Sequence, residues 1–399
     1  LKNAGAIPLV VTNTPELCMC WETFNNVTGR TNNPYDIRRT PGGSSGGEAA
    51  LLAAAGSVIG LGSDIGGSGR LPALFCGVYG HKPSPGYISI DGHLPTSSDE
   101  EWASFFSFVP MSRYAEDLPL LLNLMIPDPD KAQELRLFEP VDLSKIKLFY
   151  IENDRSILSD KVHPEIIHSM RRTMDHFAET YGVKAQKVKV KEIKEIRDML
   201  QLAGVILLRT TCHNVYQKSD DNPKEWNNVI VTYLKYLTCQ TNHTHPPLLY
   251  GALKKYADSY SEKDFNEILR LKKELMKKFH DILGDDGVFI YPTFPDLANF
   301  HLQFYYKLLN VGYFTLFNVV ELPVTACPTG LARDGRPIGF QIAASRGHDR
   351  LTLAVAREVE AALGGWVPPP SAPISNSKEI SGSAITIETS CPTQIICQT

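Results

Sequence analysis

The sequence predicts an α/β fold with a central mixed sheet covered by helices. Short apolar runs of strand length recur along the chain, at residues 6–11, 58–61, 146–151, 288–291, 324–327 and 339–344. Between them lie longer stretches with helical periodicity, the pattern of an α/β protein. Hydrophobic residues make up 43% of the chain and charged residues 21%, which is globular rather than disordered composition. The 399 residues can bury a large core, and length alone allows either one large domain or several at ~150 residues each.

Taken in order, residues 6–11 read as a strand, and Thr12-Asn13-Thr14-Pro15-Glu16 supplies cap residues with Pro in the first turn of a helix. Residues 25–47 are rich in Gly, Asn and Pro and read as an extended loop. Residues 48–58 are Ala- and Leu-rich, a helix small enough in cross-section to be closely packed. A short strand at 58–61 follows, then a second Gly-rich turn at 62–69, then the apolar stretch 71–78. In the middle, 163–181 and 191–202 read as amphipathic helices. Ser261-Glu262-Lys263-Asp264 resembles a capping box and opens a helix with Phe265, Ile268, Leu269, Leu275, Met276, Phe279 and Leu283 on one face. Gly284-Asp285-Asp286-Gly287 ends that helix, and 350–363 reads as the closing helix. The stretch from 368 begins with Pro368-Pro369-Pro370. Of the 29 residues after it, 10 are Ser or Thr and three are charged, so the expectation is a disordered tail.

Charge and cysteine content narrow the function. The net charge is −4 and no basic tract is present, which argues against a nucleic-acid partner. No uncharged apolar run reaches the ~18 residues of a spanning helix. The chain begins Leu1-Lys2-Asn3, without Met and without a signal-peptide pattern, and reads as starting inside a domain, which leaves an upstream targeting or membrane segment open. Eight cysteines are spread along the chain with no paired CxxC units, so buried free thiols are expected rather than a disulfide scaffold or zinc site. No metal and no cofactor are expected.

Two glycine-flanked serine clusters carry the chemistry. The first is Pro41-Gly42-Gly43-Ser44-Ser45-Gly46-Gly47-Glu48, and the second is Gly62-Ser63-Asp64-Ile65-Gly66-Gly67-Ser68-Gly69-Arg70. Glycines let backbone N–H groups converge on one point, which suits a phosphate or the oxyanion of a tetrahedral intermediate. Neither cluster is a phosphate loop, because Glu48 and Ser68 stand where Lys is required. The pattern GxSxG fits Gly42 to Gly46, but Arg38-Arg39-Thr40-Pro41 before it is not the buried strand that a nucleophile elbow needs. Gly60-Leu61-Gly62 is followed by Ile65 where a dinucleotide fingerprint has Gly. One such loop would be read as a turn. Two, separated by a single Ala-rich helix, point to a site.

The stretch from Gly42 to Arg70 resembles the signature of the amidase signature family, and Cys76-Gly77-Val78-Tyr79-Gly80-His81-Lys82-Pro83-Ser84 continues it. The similarity extends over roughly residues 1–367 and includes Thr12 to Glu16, Asn33-Pro34-Tyr35-Asp36, Pro110 to Leu118, Leu322 to Pro328 and Gly365-Trp366. The resemblance implies a single amidase-signature domain over 1–367. It implies Ser68 as the nucleophile that forms an acyl-enzyme, and Ser44, preceded by a cis peptide, as the proton relay. It implies an oxyanion hole from the backbone N–H groups of Ile65, Gly66, Gly67 and Ser68, with Ser45, Asp64 and Arg70 bracing the loop. The third member of the family triad is a lysine upstream of the first predicted strand. Neither Lys2 nor Lys82 matches it, so the base is expected outside these 399 residues and this chain alone is expected to be a poor catalyst. Gly69 also departs from the family, which carries a larger apolar residue there.

The resemblance is strongest to the fatty-acid amide hydrolases and implies a long-chain fatty-acid amide substrate, a membrane surface and a homodimer as partners. Residues 231–250 and 300–317 are rich in apolar and aromatic side chains, and they either line an acyl channel, rest on a membrane or fill the core. His243 and His245 read as loop residues. The alternatives are a glutamine amidotransferase-type amidase subunit, and an inactive lipid-binding relative of the amidase fold.

Overall fold

The computed structural model describes residues 1–154, 156–210 and 228–370, so the predicted tail at 371–399 lies outside the described residues. Eight strands form one sheet: β1 (Ile59–Asp64), β2 (Tyr79–Lys82), β3 (Ser107–Ser112), β4 (Lys147–Tyr150), β5 (Gln186–Lys187), β6 (Gly287–Tyr291), β7 (Val324–Leu331) and β8 (Pro337–Ala344). Their order is β1-β3-β2-β7-β8-β6-β4-β5. Pairing is antiparallel from β1 to β6 across the sheet and parallel for β6/β4 and β4/β5, so the sheet is mixed as expected. The central strands β2, β6, β7 and β8 are buried along most of their length, and β6, β7 and β8 accordingly read in the sequence as apolar runs, whereas β2, Tyr79-Gly80-His81-Lys82, does not.

The helices that matter for the site are α1 (Gly46–Ala53) and α2 (Arg70–Cys76). Around them lie α3 (Pro164–Tyr181), α4 (Met199–Arg209), α5 (Val229–Leu237), α6 (His245–Ala257), α7 (Glu262–Leu283), α8 (Gly312–Val319) and α9 (Asp349–Leu363). Every residue of α2 is buried, and the helix lies against β7 and β8. The capping signal for α7 is realised: Ser261 Oγ accepts the Asp264 N–H at 3.1 Å and donates to its carboxylate at 2.7 Å. A ring cluster of Phe279, Phe289, Tyr291 and Phe317 joins α7, β6 and α8 at centroid separations near 6 Å.

Four local expectations are corrected. Residues 6–11 form no strand; the segment has no ladder partner among the described residues, and Ile7 and Val11 are 81% and 96% exposed. Apolar β-branched composition permits a strand, but only a neighbour makes one. The Thr12–Glu16 cap leads into a single 3₁₀ turn, Glu16–Cys18, because Leu17 and Cys18 take positive φ. The Ala-rich helix stops at Ala53, where Ala55 adopts φ +58° and the Gly56 N–H returns to the Leu51 carbonyl. Residues 191–202 split into a 3₁₀ turn, Lys194–Asp198, and the start of α4. Among the cysteines, Cys20, Cys76 and Cys327 are buried free thiols, but Cys239 is exposed.

Candidate active site

The two serine loops meet at the entrances of α1 and α2. The Ser45 N–H donates to the Ser68 carbonyl at 3.1 Å, which ties one loop to the other. Ser44, Ser45 and Ser68 are all buried, at 1%, 5% and 6% exposure. The Gly43–Ser44 peptide is cis. A side chain at Gly43 would strike the Cys20 carbonyl at 2.6 Å and the Glu22 nitrogen at 2.7 Å, so glycine is what lets the loop lie against residues 20–22. Gly67 has φ +90°, and a Cβ there would sit 2.3 Å from the Phe314 ring. That contact fixes the floor of the second loop.

Asp64 braces the second loop from beneath. Its carboxylate accepts the Gly67 N–H at 2.8 Å, the Gly69 N–H at 3.2 Å and the Arg70 N–H at 3.4 Å. The Arg70 guanidinium adds two bonds at 3.0 Å, and the Asn318 amide one at 2.9 Å. Burial alone would raise this carboxyl, but the Arg70 charge and the converging donors outweigh it and hold the pKa at about 2. Arg70 in turn donates to Gln341 at 2.8 Å and Asn318 at 2.6 Å, which anchors the loop to β8 and α8. Ser45 also braces: its Oγ accepts the Ser63 N–H at 3.2 Å.

This arrangement sorts the expected oxyanion donors. The Gly67 N–H is committed to Asp64, whereas among the described residues the N–H groups of Ile65, Gly66 and Ser68 have no protein acceptor. Trp21 donates from Nε1 to the Gly66 carbonyl at 2.8 Å and turns that peptide so that its carbonyl points to the indole. Trp21 packs on Phe304 and Phe314, giving the loop an aromatic wall. A small apolar recess lies there, lined in part by Leu71, Phe75, Phe294 and Phe314. The Phe304, Tyr313, Phe314 and Phe317 rings of residues 300–317 are buried core, whereas Tyr306 is 87% exposed.

Sequence reasoning passed over three neighbours. Trp21 and Cys18 come from the irregular segment before the first loop, where Cys18 lies beside the Ser44 side chain and its thiol donates to the Leu94 carbonyl at 3.9 Å. His93 enters from the loop between β2 and β3, with Nε2 3.0 Å from Ser63 Oγ. No periodicity marks these residues, and only the folded path of the loops brings them to the serines. Lys82 is fully buried on β2 with its ammonium on the Pro83 carbonyl at 3.3 Å. Burial and the nearby Arg70 push its pKa down to about 7. His243 pairs with Glu16 at 2.6 Å, and His245 lies in the first turn of α6 between the Tyr233 and Tyr305 hydroxyls. Among the described residues no cluster of His, Cys, Asp or Glu has the arrangement of a metal site.

The amidase family model matches residues 1–353. Fatty-acid amide hydrolase 2-A of Danio rerio is 38% identical over 378 residues, which cover 92% of this chain and 69% of that protein. Fatty-acid amide hydrolase 2 of Homo sapiens is 39% identical over 376 residues, with the same coverage of both. Among solved structures, 6-aminohexanoate cyclic dimer hydrolase complexed with substrate superposes with a TM-score of 0.70 at 24% identity, covering 91% of this chain and 76% of that one, a likeness of fold. The match to the family over residues 1–353, a span that includes both serine loops, identifies this protein as a member of the amidase family, a hydrolase of amide C–N bonds.

Proposed function

We propose that the chain hydrolyses long-chain fatty-acid amides to acid and amine through an acyl-enzyme on Ser68, with Ser44 relaying the proton. The observation that carries this reading is the joined pair of serine loops. Ser68 stands at the end of a loop whose Ile65, Gly66 and Ser68 N–H groups have no protein acceptor among the described residues, and the Ser45–Ser68 bond sets Ser44 one residue away. Donors fixed before the substrate arrives stabilise the developing oxyanion without reorganising, an effect worth ~3–4 kcal/mol per donor in comparable sites. Asp64 and Arg70 hold those donors in place.

The substrate class rests on the relatives named fatty-acid amide hydrolase 2 and on apolar surface near the site. Trp21, Phe304 and Phe314 form an aromatic wall beside Gly66 and Gly67 that suits an acyl chain. On α5, Ile230, Leu234 and Leu237 recur at helical spacing and are 59%, 59% and 66% exposed, a face suited to a lipid surface from which such a substrate is drawn. Among the described residues no helix is long and apolar enough to cross a membrane.

The test is labelling with a fluorophosphonate probe together with turnover of oleamide and of short-chain amides. The expected result is covalent labelling at Ser68, lost in Ser68→Ala, and preference for the long chain. Labelling that persists in Ser68→Ala would remove the nucleophile assignment, and equal turnover of short amides would remove the substrate class.

A further inference from the structure

Away from the serines, the start of α6 carries a pocket walled by rings. Its volume is about 390 Å³, and it is lined in part by Phe24, Tyr236, His245, Leu302 and Tyr305. Four pieces of chain supply these residues: the hairpin of Phe24–Asn25 with Gly29–Arg30, helix α5, the first turn of α6, and the 3₁₀ stretch Gln303–Asn310 with its cap Leu302. The Asn26 amide donates to the Asn242 carbonyl at 2.8 Å and ties the hairpin to the segment before α6.

His245 fixes the rings relative to one another. Its Nε2 lies 2.8 Å from the Tyr233 hydroxyl and its Nδ1 3.2 Å from the Tyr305 hydroxyl. Its ring meets those of Tyr233, Tyr236 and Tyr305 at centroid separations of 5.8, 5.8 and 5.3 Å. Burial lowers the pKa of His245, so the imidazole is neutral at pH 7 and brings no positive charge to the pocket. A neutral imidazole has one donor and one acceptor, so one phenol donates to it and the other accepts. The polar edges of Tyr233, His245 and Tyr305 are thus taken up by one another, and the π-systems remain to meet a ligand.

Two carboxylates stand behind these walls. Glu16 accepts the backbone N–H of Thr244, another lining residue, at 2.6 Å and pairs with His243 at 2.6 Å. Glu22, whose side chain is 0% exposed, accepts the Leu302 N–H at 2.8 Å and lies 2.9 Å from His301 Nδ1, while Arg30 approaches it only at 3.9 Å. Among the described residues that line the pocket there is no lysine and no arginine. Aromatic rings attract an organic cation through their quadrupoles, and a carboxylate nearby adds to that attraction. The volume suits a small organic ammonium group rather than a bare ion.

We propose that this pocket binds the trimethylammonium group of a choline headgroup at a phosphatidylcholine surface. The proposal rests on the reading of α5 as a lipid-facing helix and not on the assignment of Ser68. One helix serves both purposes: Tyr236 lines the pocket, while Ile230, Leu234 and Leu237 stand in the open on the same helix. Leu302, 48% exposed, adds to the apolar rim from a separate segment. A helix lying in the interface with its aliphatic side chains among the lipids holds its tyrosines at headgroup level, where the choline is. A soluble amine offers the same cationic chemistry but leaves the apolar rim uncovered, which favours the headgroup.

The test uses the 399-residue chain, with phosphocholine binding read by isothermal titration calorimetry and lipid binding read on two kinds of vesicle. One is phosphatidylcholine; the other is digalactosyldiacylglycerol, which is uncharged and has no ammonium group. Wild type is expected to bind phosphocholine saturably and to prefer phosphatidylcholine vesicles. Tyr236→Leu and Tyr305→Leu are each expected to weaken phosphocholine binding by ~5–10-fold, and Tyr236→Phe by less than ~2-fold, because the ring and not the hydroxyl meets the cation. The two tyrosines lie on separate elements, so if one leucine variant does not fold the other decides. No saturable phosphocholine binding, or binding unchanged in the leucine variants, would overturn the pocket as an ammonium site. Phosphocholine binding without preference between the two vesicles would overturn the headgroup and point to a soluble amine. Vesicle binding of both kinds that is unchanged in Leu234→Ser with Leu237→Ser, while phosphocholine still binds, would instead overturn the reading of α5 on which the lipid source rests.

Discussion

The second serine loop and helix α5 solve opposite problems. Around Ser68, charged and polar groups are buried and nearly all are paired: Asp64 and Arg70 are both 0% exposed and share two hydrogen bonds at 3.0 Å. On α5, apolar side chains are left in the open, and Thr232 is its one buried residue. The loop spends stability on geometry, since a buried ion pair returns little net energy but collapses if either partner is lost. The helix contributes little to the core and leaves an apolar face uncovered among the described residues. Precision therefore resides where the polar atoms are, and apolar area is available where the molecule meets its surroundings.

The comparison breaks most sharply at the ion pair. Asp64→Asn or Arg70→Met is expected to cost ~3–5 kcal/mol, because the remaining charge stays buried without its partner. Urea unfolding measures this, and a loss below about 1 kcal/mol would mean the loop is held by its glycine packing instead. The next effect comes from Lys82. Its folded-state pKa, about 7, lies below the ordinary 10.5, so above pH 7 the unfolded chain binds a proton that the folded chain does not. Stability contributed by this group should be lowest and flat below pH 7, then rise by up to ~1.4 kcal/mol per pH unit towards pH 10. Thermal melts of wild type against Lys82→Met check it; an identical pH slope in the two proteins would show that the lysine stays charged when folded.

A smaller effect tests the packing beside Ser68. A Cβ at Gly69 would lie 2.8 and 2.9 Å from the γ-carbons of Val109, so the space that a larger residue would fill is already taken from β3. Gly69→Ile should destabilise by ~1–3 kcal/mol by overpacking, and Val109→Gly in the same chain should recover most of it. Additive losses in the double variant would show that the two positions do not share one space. The smallest effect on stability belongs to α5. Leu234→Ser with Leu237→Ser should leave unfolding within ~0.5 kcal/mol, as expected for exposed sites. Binding to phosphatidylcholine vesicles should nevertheless fall by at least ~10-fold, since each lost CH₂ contact is worth ~0.8 kcal/mol. Unchanged vesicle binding would detach α5 from any lipid surface.

Much of the fold could be read from the chain because it depends on local pattern. The strands at 146–151, 288–291, 324–327 and 339–344 and the helices at 163–181 and 350–363 fall within a few residues of β4, β6, β7, β8, α3 and α9. Their burial is continuous or periodic, so composition and spacing carry the signal. The serine loops were legible for a related reason: glycines beside Ser44 and Ser68 are demanded by backbone approach at 2.3–2.7 Å, and that demand is written residue by residue. What the sequence could not decide is everything set by a partner distant along the chain. Residues 6–11 have strand composition but no neighbour, so they remain outside the sheet. Asp64 owes its ionised state to Arg70 and Asn318, the latter 254 residues away. Cys18, Trp21 and His93 reach the serines only through loop paths that no periodicity encodes, because a hydrogen bond is fixed by position in space and not by separation in sequence.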